Sequence, residues 1–539
     1  MSQKLGLIYL ALAALVIGRS AFGSSDRVRI ETGVLQGKVQ DGVVSFKGIP
    51  YATPPVGVHR WRAPQPAAAW TGVRQATEYG HDCMQILFPI DAAALRTVPS
   101  EDCLYLNVWK PAQAPSKKLA VMVWFYGGGW MNGGSSPAAY DGTEFARSGL
   151  VFVSFNYRLG RFGFFAHPAL TRENPNGLLG NYGYMDQIAA LKWVQQNIAA
   201  FGGDPQRVTV FGESAGGGSI QALICSPVAR GLFQRAIVDS SGGRTALGSA
   251  RYIRDAPPGG LPSAESVGVT FARSKNIFGT DRAALSALRD LTADQVADGL
   301  SMANEMDSDQ KPKYTGAMID GKVVVETSQA CFGSGRFAQI PLLVGANSRE
   351  QVFPRARQIG LPHAHTLDEL FAGFGKDGDK ARALYDPQNT ASMPELGLVV
   401  AADQMMVEPA RYVARSFAAA RQPVYEYRFS YVADSMRGEW KGAPHATELV
   451  FAFNTVRARY GDAVTPNDEK VAQSMHAYWV AFAKSGNPNA GGRPKWPRYS
   501  LENDQLMNFT AGGAFAEPDP WKARLDLIEA SFLASQKTR

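Results

Sequence analysis

Val208-Thr209-Val210-Phe211-Gly212-Glu213-Ser214-Ala215-Gly216 is the stretch on which the reading of this chain turns. Val208–Phe211 is a short apolar strand, and a helix is expected to follow through Gly217, Gly218 and Ile220. A Gly-x-Ser-x-Gly between a strand and a helix is a nucleophile elbow. The turn is so tight that β-carbons at the flanking positions would clash, so both flanks are glycine. Ser214 Oγ is then presented at the carboxyl edge of a sheet, above the N-terminus of the next helix.

A serine that attacks a carbonyl needs donors for the oxyanion it creates. About 85 residues upstream, the buried-strand candidate Leu119–Tyr126 runs into Gly127-Gly128-Gly129, the place and composition of an oxyanion loop in such a fold. The backbone N–H groups of Gly128, Gly129 and Ala215 would converge on one oxygen. One such donor is typically worth about 3 kcal/mol of transition-state stabilisation.

The rest of the chain alternates in the same way. Val151–Tyr157, Ala236–Val238, Leu342–Val344 and Val424–Phe429 read as strands. Tyr184–Ala200, stopped by Gly202-Gly203, and Val471–Lys484 read as amphipathic helices. Strands alternating with helices predict an α/β fold with a parallel-rich sheet. Arg251–Ser263 and Met302–Lys313 are expected to be long loops. No composition shift resembles a linker, so residues 24–539 are expected to form one domain.

The elbow serine needs a base and an acid, and in this fold they follow the serine in the order acid, then histidine. Of seven histidines, four lie downstream. His476 falls within a predicted helix. His363 and His365 leave little chain for an intervening acid-bearing strand. His445, in a loop after Val424–Phe429, is the best candidate. Pro341–Glu350 is an apolar strand and then a polar loop, which makes Glu350 the candidate acid; Asp320 and Glu326 compete on spacing alone.

Composition narrows the function further. The 539 residues are 45% hydrophobic and 19% charged, ordinary globular usage that excludes disorder, collagen and coiled coil as whole-chain descriptions. A net charge of +7 without a basic stripe does not suggest a nucleic-acid partner. Lys4, the apolar run Leu5–Gly18 and small residues to Gly23 describe a signal peptide over residues 1–23. No later run is long and apolar enough to span a membrane. A secreted or periplasmic protein is expected, where disulfides are permitted. Four cysteines, Cys83, Cys103, Cys225 and Cys331, allow three full pairings and contain no Cys-x-x-Cys.

Together these segments resemble the type-B carboxylesterase/cholinesterase family of α/β-hydrolases. Phe201-Gly202-Gly203-Asp204-Pro205 through Gly216 is similar to the family's active-serine signature, and Glu101-Asp102-Cys103-Leu104-Tyr105-Leu106-Asn107-Val108-Trp109 to its second. Phe46–Ala52, Asn156–Gly160 and Trp479–Pro497 resemble further family segments, so the likeness covers nearly the whole mature chain. The resemblance implies an α/β-hydrolase fold, a large mixed, mostly parallel sheet flanked by helices. It implies a triad of Ser214, Glu350 and His445, an oxyanion hole of Gly128, Gly129 and Ala215, and a Cys83–Cys103 disulfide. Cys225 and Cys331 are then expected as free thiols. No cofactor or metal is implied. The activity implied is that of a serine carboxylesterase acting on small-molecule esters through an acyl-enzyme. A lipase, or a non-catalytic binding module on the same fold, is the alternative. Two departures stand out. Tyr126 precedes the glycines where many of the family's esterases carry histidine, as it does in cholinesterase-like members. Ser348-Arg349-Glu350-Gln351 replaces the usual acidic-residue–Glu–Gly around the acid. The resemblance implies bulky natural-product or xenobiotic esters, and Arg355 and Arg357, which follow, would favour polycarboxylate ones if they face the pocket.

Overall fold

The structure, a computed structural model, describes residues 26–88, 92–113, 117–244, 251–255, 260–302, 313–350 and 364–537. The proposed signal peptide, Arg355, Arg357, His363 and most of the Met302–Lys313 loop lie outside them, as does part of Arg251–Ser263.

Eleven strands form the main sheet. In chain order they are β1 (Lys38–Gln40), β2 (Val43–Pro50), β3 (Tyr105–Pro111), β4 (Leu119–Phe125), β5 (Val151–Phe155), β6 (Gly203–Glu213), β7 (Arg235–Asp239), β8 (Leu342–Asn347), β9 (Val424–Phe429), β10 (Gln505–Thr510) and β11 (Gly513–Pro518). Their spatial order is β1-β2-β3-β5-β4-β6-β7-β8-β9-β10-β11. Strands β5, β4 and β6 to β10 pair in parallel. The edges, β1-β2-β3-β5 and β10-β11, are antiparallel.

The central parallel strands are rich in apolar residues because both their faces are covered. Every residue of β5, β8 and β9 is buried. Four of the helices that flank the sheet are α1 (Tyr182–Asn197), α2 (Ala215–Cys225), α3 (Glu408–Ala419) and α4 (Pro466–Ser485). Trp124 of β4 stands at the centre of an aromatic cluster with Tyr140, Phe211 and Phe453. The α4 helix starts five residues before the predicted Val471. Its first turn is polar, and Thr465 and Asp468 close a capping box there.

The Cys83–Cys103 disulfide is present. The expectation of free thiols at Cys225 and Cys331 is corrected: the two are joined in a second disulfide. Cys225 ends α2, and Cys331 lies on the short helix Ser328–Ser334. Nothing in the local sequence pairs cysteines 106 residues apart; the fold does so by returning the chain from its long β7–β8 excursion to the end of the elbow helix.

Candidate active site

Every expected site residue lies just past the carboxyl end of a parallel strand. Strand β4 leads to Gly127-Gly128-Gly129, β6 to Ser214, β8 to Glu350 and β9, through a longer loop, to His445. Such strand ends are where open α/β sheets bind their ligands.

Ser214 occupies φ 54° and ψ −123°, a conformation that costs a non-glycine residue of order 1–3 kcal/mol. The surroundings hold it there. Its N–H donates to the Asp239 carbonyl at 3.0 Å, and its own carbonyl accepts from Gly218 N–H at 2.8 Å. The expected need for flanking glycines is met: a β-carbon on Gly216 would sit 2.0 Å from the Phe125 carbonyl oxygen, and one on Gly212 2.8 Å from the backbone of Gly216.

The glycine loop is equally constrained. Gly128 and Gly129 have φ values of 105° and 64°. A β-carbon on Gly128 would lie 2.2 Å from the Asn132 carbonyl oxygen. The Gly128 carbonyl accepts from the N–H groups of Met131 and Asn132, curling the loop on itself. Trp130 ties it to the elbow helix by donating Nε1–H to Ser219 Oγ at 2.9 Å. Among the described residues, the N–H groups of Gly128, Gly129 and Ala215 donate no hydrogen bond, as donors kept for an incoming oxygen would. Tyr126 is packed away behind the loop, its ring stacked on Tyr157 and its hydroxyl donating to the Tyr157 carbonyl.

His445 Nδ1 lies 2.6 Å from Glu350 Oε2, both groups buried or nearly so. The other oxygen, Oε1, accepts the N–H of Asn347 at 2.6 Å. The competing acids are committed elsewhere: Asp320 caps its own turn and accepts from Asn181, and Glu326 pairs with Arg336. His476 is a core residue bonded to the Ala452 carbonyl and to Ser148. Ser214 Oγ and His445 Nε2 are not joined by a hydrogen bond; Nε2 instead lies 3.1 Å from Glu213 Oε1. Catalytic contacts of this kind commonly close only around substrate.

Glu213 and Glu448 are the site residues that sequence reasoning missed. Glu213 occupies the variable position of the elbow, and its carboxyl turns toward His445. Burial pushes its carboxyl well above the usual carboxylate range. Burial also works against the His445 imidazolium, but the carboxylates of Glu213 and Glu350 outweigh it and lift His445 above an ordinary histidine. One proton between Glu213 and His445 relieves both. Glu448, three residues past the base, is pushed up to about 7 by burial and by Glu350. Asp239, facing Tyr427 and Trp479, is raised by burial and by Glu448. Three buried carboxyls, Glu213, Glu350 and Glu448, thus act on one imidazole.

The elbow and the mixed sheet define an α/β-hydrolase. The chain belongs to the carboxylesterase family, whose profile matches residues 24–522, and it is a carboxylic ester hydrolase. It is 36% identical over 495 residues to the fumonisin B1 esterase of Sphingopyxis macrogoltabida, covering 89% of this chain and 85% of the relative. It is 35% identical over 494 residues to the para-nitrobenzyl esterase of Bacillus subtilis (strain 168), covering 89% and 94%. The human cocaine esterase is 35% identical over 504 residues, covering 86% and 83%. A solved PNB esterase structure superimposes with a TM-score of 0.78 at 31% identity, covering 94% of this chain and 99% of that one.

Proposed function

We propose that Ser214, His445 and Glu350 are the catalytic triad of this serine carboxylesterase, with Gly128, Gly129 and Ala215 as its oxyanion hole. The observation that carries the reading is the 2.6 Å contact between His445 Nδ1 and Glu350 Oε2, formed over the strained serine elbow. Glu350 holds the imidazole with Nδ1 protonated, which leaves Nε2 to take the proton of Ser214 Oγ. The oxygen then attacks the ester carbonyl, and the three backbone N–H groups receive the oxyanion. His445 hands the proton to the departing alcohol. A water deprotonated by His445 attacks the acyl-enzyme, and its proton returns to Ser214 as the acid leaves.

Hydrolysis of p-nitrophenyl acetate and butyrate, followed before the steady state, tests this. The parent protein should give a burst stoichiometric with enzyme, and Ser214→Ala should give none. Equal rates in the two proteins would overturn the assignment.

The substrate range is the finer part of the proposal. Relatives named for fumonisin B1, para-nitrobenzyl and cocaine esters support bulky esters, and Arg355 and Arg357 support polycarboxylate ones. Comparing kcat/KM for bulky, multiply carboxylated esters with that for p-nitrophenyl butyrate tests both. We also propose that residues 1–23 direct export to the periplasm or beyond and that residues 24–539 are one catalytic domain. Two disulfides support an oxidising destination. Among the described residues no helix is long and apolar enough to cross a membrane.

A further inference from the structure

We propose that Asn347 is a positioning residue for ester hydrolysis: its side-chain amide ties the loop bearing the acid to the loop bearing the base and fixes the peptide plane from which His445 projects. The proposal rests on the reading of Ser214, His445 and Glu350 as the triad.

Asn347 is the last residue of β8 and is fully buried. Its backbone N–H holds Glu350 Oε1 at 2.6 Å. Its Nδ2 donates to the Pro444 carbonyl at 2.7 Å and, through its second hydrogen, to Glu448 Oε2. One residue thus touches the acid, the peptide immediately before the base, and a second buried carboxyl. The orientation of the amide follows from its neighbours. Both are acceptors, so the NH2 group and not the oxygen faces them.

Backbone bonds bring the two loops together up to the Arg349–Pro444 bridge, just before His445. Ser348 N–H donates to the Phe429 carbonyl at 2.8 Å, and Arg349 N–H to the Ala443 carbonyl at 2.9 Å. Ala443 N–H returns a bond to Ser348 Oγ at 2.9 Å. The Pro444 carbonyl belongs to the peptide that enters His445, and Asn347 holds it. Beyond the base the chain bends at once, with Ala446 at φ 62°. The same carbonyl also accepts from Thr447 Oγ1 at 2.6 Å and Thr447 N–H at 3.2 Å, bonds internal to the loop of His445, whereas the amide is the side-chain tie from that carbonyl to the loop bearing Glu350. A displacement of about 1 Å at such a group can cost 10²-fold in rate.

The site also gives the amide an electrostatic reason. The carboxyls in contact with His445 or the Asn347 amide are Glu213 from β6, Glu350 past β8 and Glu448 past His445, and Asp239 of β7 and Tyr427 of β9 act electrostatically on Glu448 and Glu350. All are acidic. A neutral double donor ties the loops without adding another negative charge beside the imidazole.

Asn347→Asp keeps the shape and reverses that property. Ionised, it donates neither bond and stabilises the imidazolium, so the base stays protonated to higher pH. The acidic limb of kcat/KM should move to higher pH, and plateau kcat on p-nitrophenyl butyrate should fall about tenfold or more, with KM within about threefold. Asn347→Ser, neutral and shorter, should lower kcat at similar KM and leave the limb in place. Melting curves are recorded for each variant. Parental kcat in either variant would overturn the proposal. So would an Asn347→Asp protein that loses kcat and melting temperature while its limb stays put, because a structural role alone would do that. If Asn347→Asp does not fold, Asn347→Ser decides: reduced kcat with an unchanged melting temperature supports the proposal, and unchanged kcat overturns it. The parent and Ser214→Ala are run alongside. Turnover that survives in Ser214→Ala sinks the triad itself. A burst lost in Ser214→Ala, with Asn347 variants like the parent, sinks only the positioning role.

Discussion

Replacing Cys225 and Cys331 together by alanine should lower the melting temperature by several degrees and leave the chemistry nearly untouched. The disulfide joins residues 106 apart and closes a loop holding everything between α2 and the short helix Ser328–Ser334. A crosslink on a loop of about a hundred residues removes denatured-state entropy worth about 4.7 kcal/mol. Unfolding entropy of about 2.1 cal/mol/K per residue, over roughly 500 residues, is about 1 kcal/mol/K at the midpoint. The expected drop is therefore about 4–5 °C. The Cys83–Cys103 bridge spans only 20 residues and is worth about 3 kcal/mol by the same reasoning, so its removal should cost less. Activity at 25 °C should persist. Cys225 ends an eleven-residue helix whose other end follows Ser214, roughly 16 Å away at 1.5 Å per residue. Calorimetry at one fixed scan rate, with p-nitrophenyl butyrate hydrolysis before heating, measures both quantities. A melting temperature unchanged within a degree would refute the loop-entropy reasoning. A large loss of kcat at 25 °C would refute the separation of this crosslink from the elbow.

Gly128→Ala places a β-carbon 2.2 Å from the Asn132 carbonyl oxygen at φ 105°, so the loop must move. Loss of one oxyanion donor should cost about 10²-fold in kcat with KM little changed, and steady-state kinetics that match the parent would count against the hole. Glu213→Gln removes a carboxylate 3.1 Å from His445 Nε2. The imidazolium then loses a partner, its pKa falls, and the acidic limb of kcat/KM should shift to lower pH; a limb that moves up instead reverses the assigned sign. Glu448 is raised from 4.5 to about 7 in the folded protein. The folded state therefore holds a proton that the unfolded chain releases, and the stability this confers is lost as pH rises across that interval. Glu448→Gln should therefore stabilise the protein more at pH 8 than at pH 5, read as the difference in melting temperature from the parent.

The fold was legible because most of its central strands are buried on both faces. Leu119–Phe125 announces itself as an unbroken apolar run and Val151–Phe155 as one interrupted only by Ser154, whereas Val424–Phe429 shows through Val424, Tyr425, Tyr427 and Phe429 around Glu426 and Arg428. Boundaries failed where hydrogen bonding continued without hydrophobicity. Strand β6 begins at Gly203, not Val208, because Gly203 pairs with Leu119 ahead of a register shift, through the polar stretch Asp204–Arg207. Asn508, polar within β10, is buried there and donates to Glu517. In each case the pattern reports side-chain chemistry, and tertiary pairing sets the outcome.

The site was legible to a different depth at each residue. Ser214 and the glycines are dictated locally, since the elbow and the oxyanion loop each need backbone that only glycine supplies. Glu350 and His445 are 95 residues apart and meet because β8 and β9 are neighbours in the sheet, so the order of strands carries them together. Glu213, Glu448 and Asp239 carry no signal at all along the chain, because an acidic residue beside an elbow, after a histidine or at a strand end is ordinary surface composition. Only convergence makes them unusual. Once Glu213, Glu350 and Glu448 are buried around one imidazole, with Asp239 acting on Glu448, they are tolerated only by keeping and sharing protons among them. That requirement bears on the base more directly than the identity of any single acid. The pH dependence of this esterase should therefore belong to the cluster as a whole, and the shift from Glu213→Gln should differ when measured in a Glu448→Gln background, whereas two independent sites would give the same shift in both.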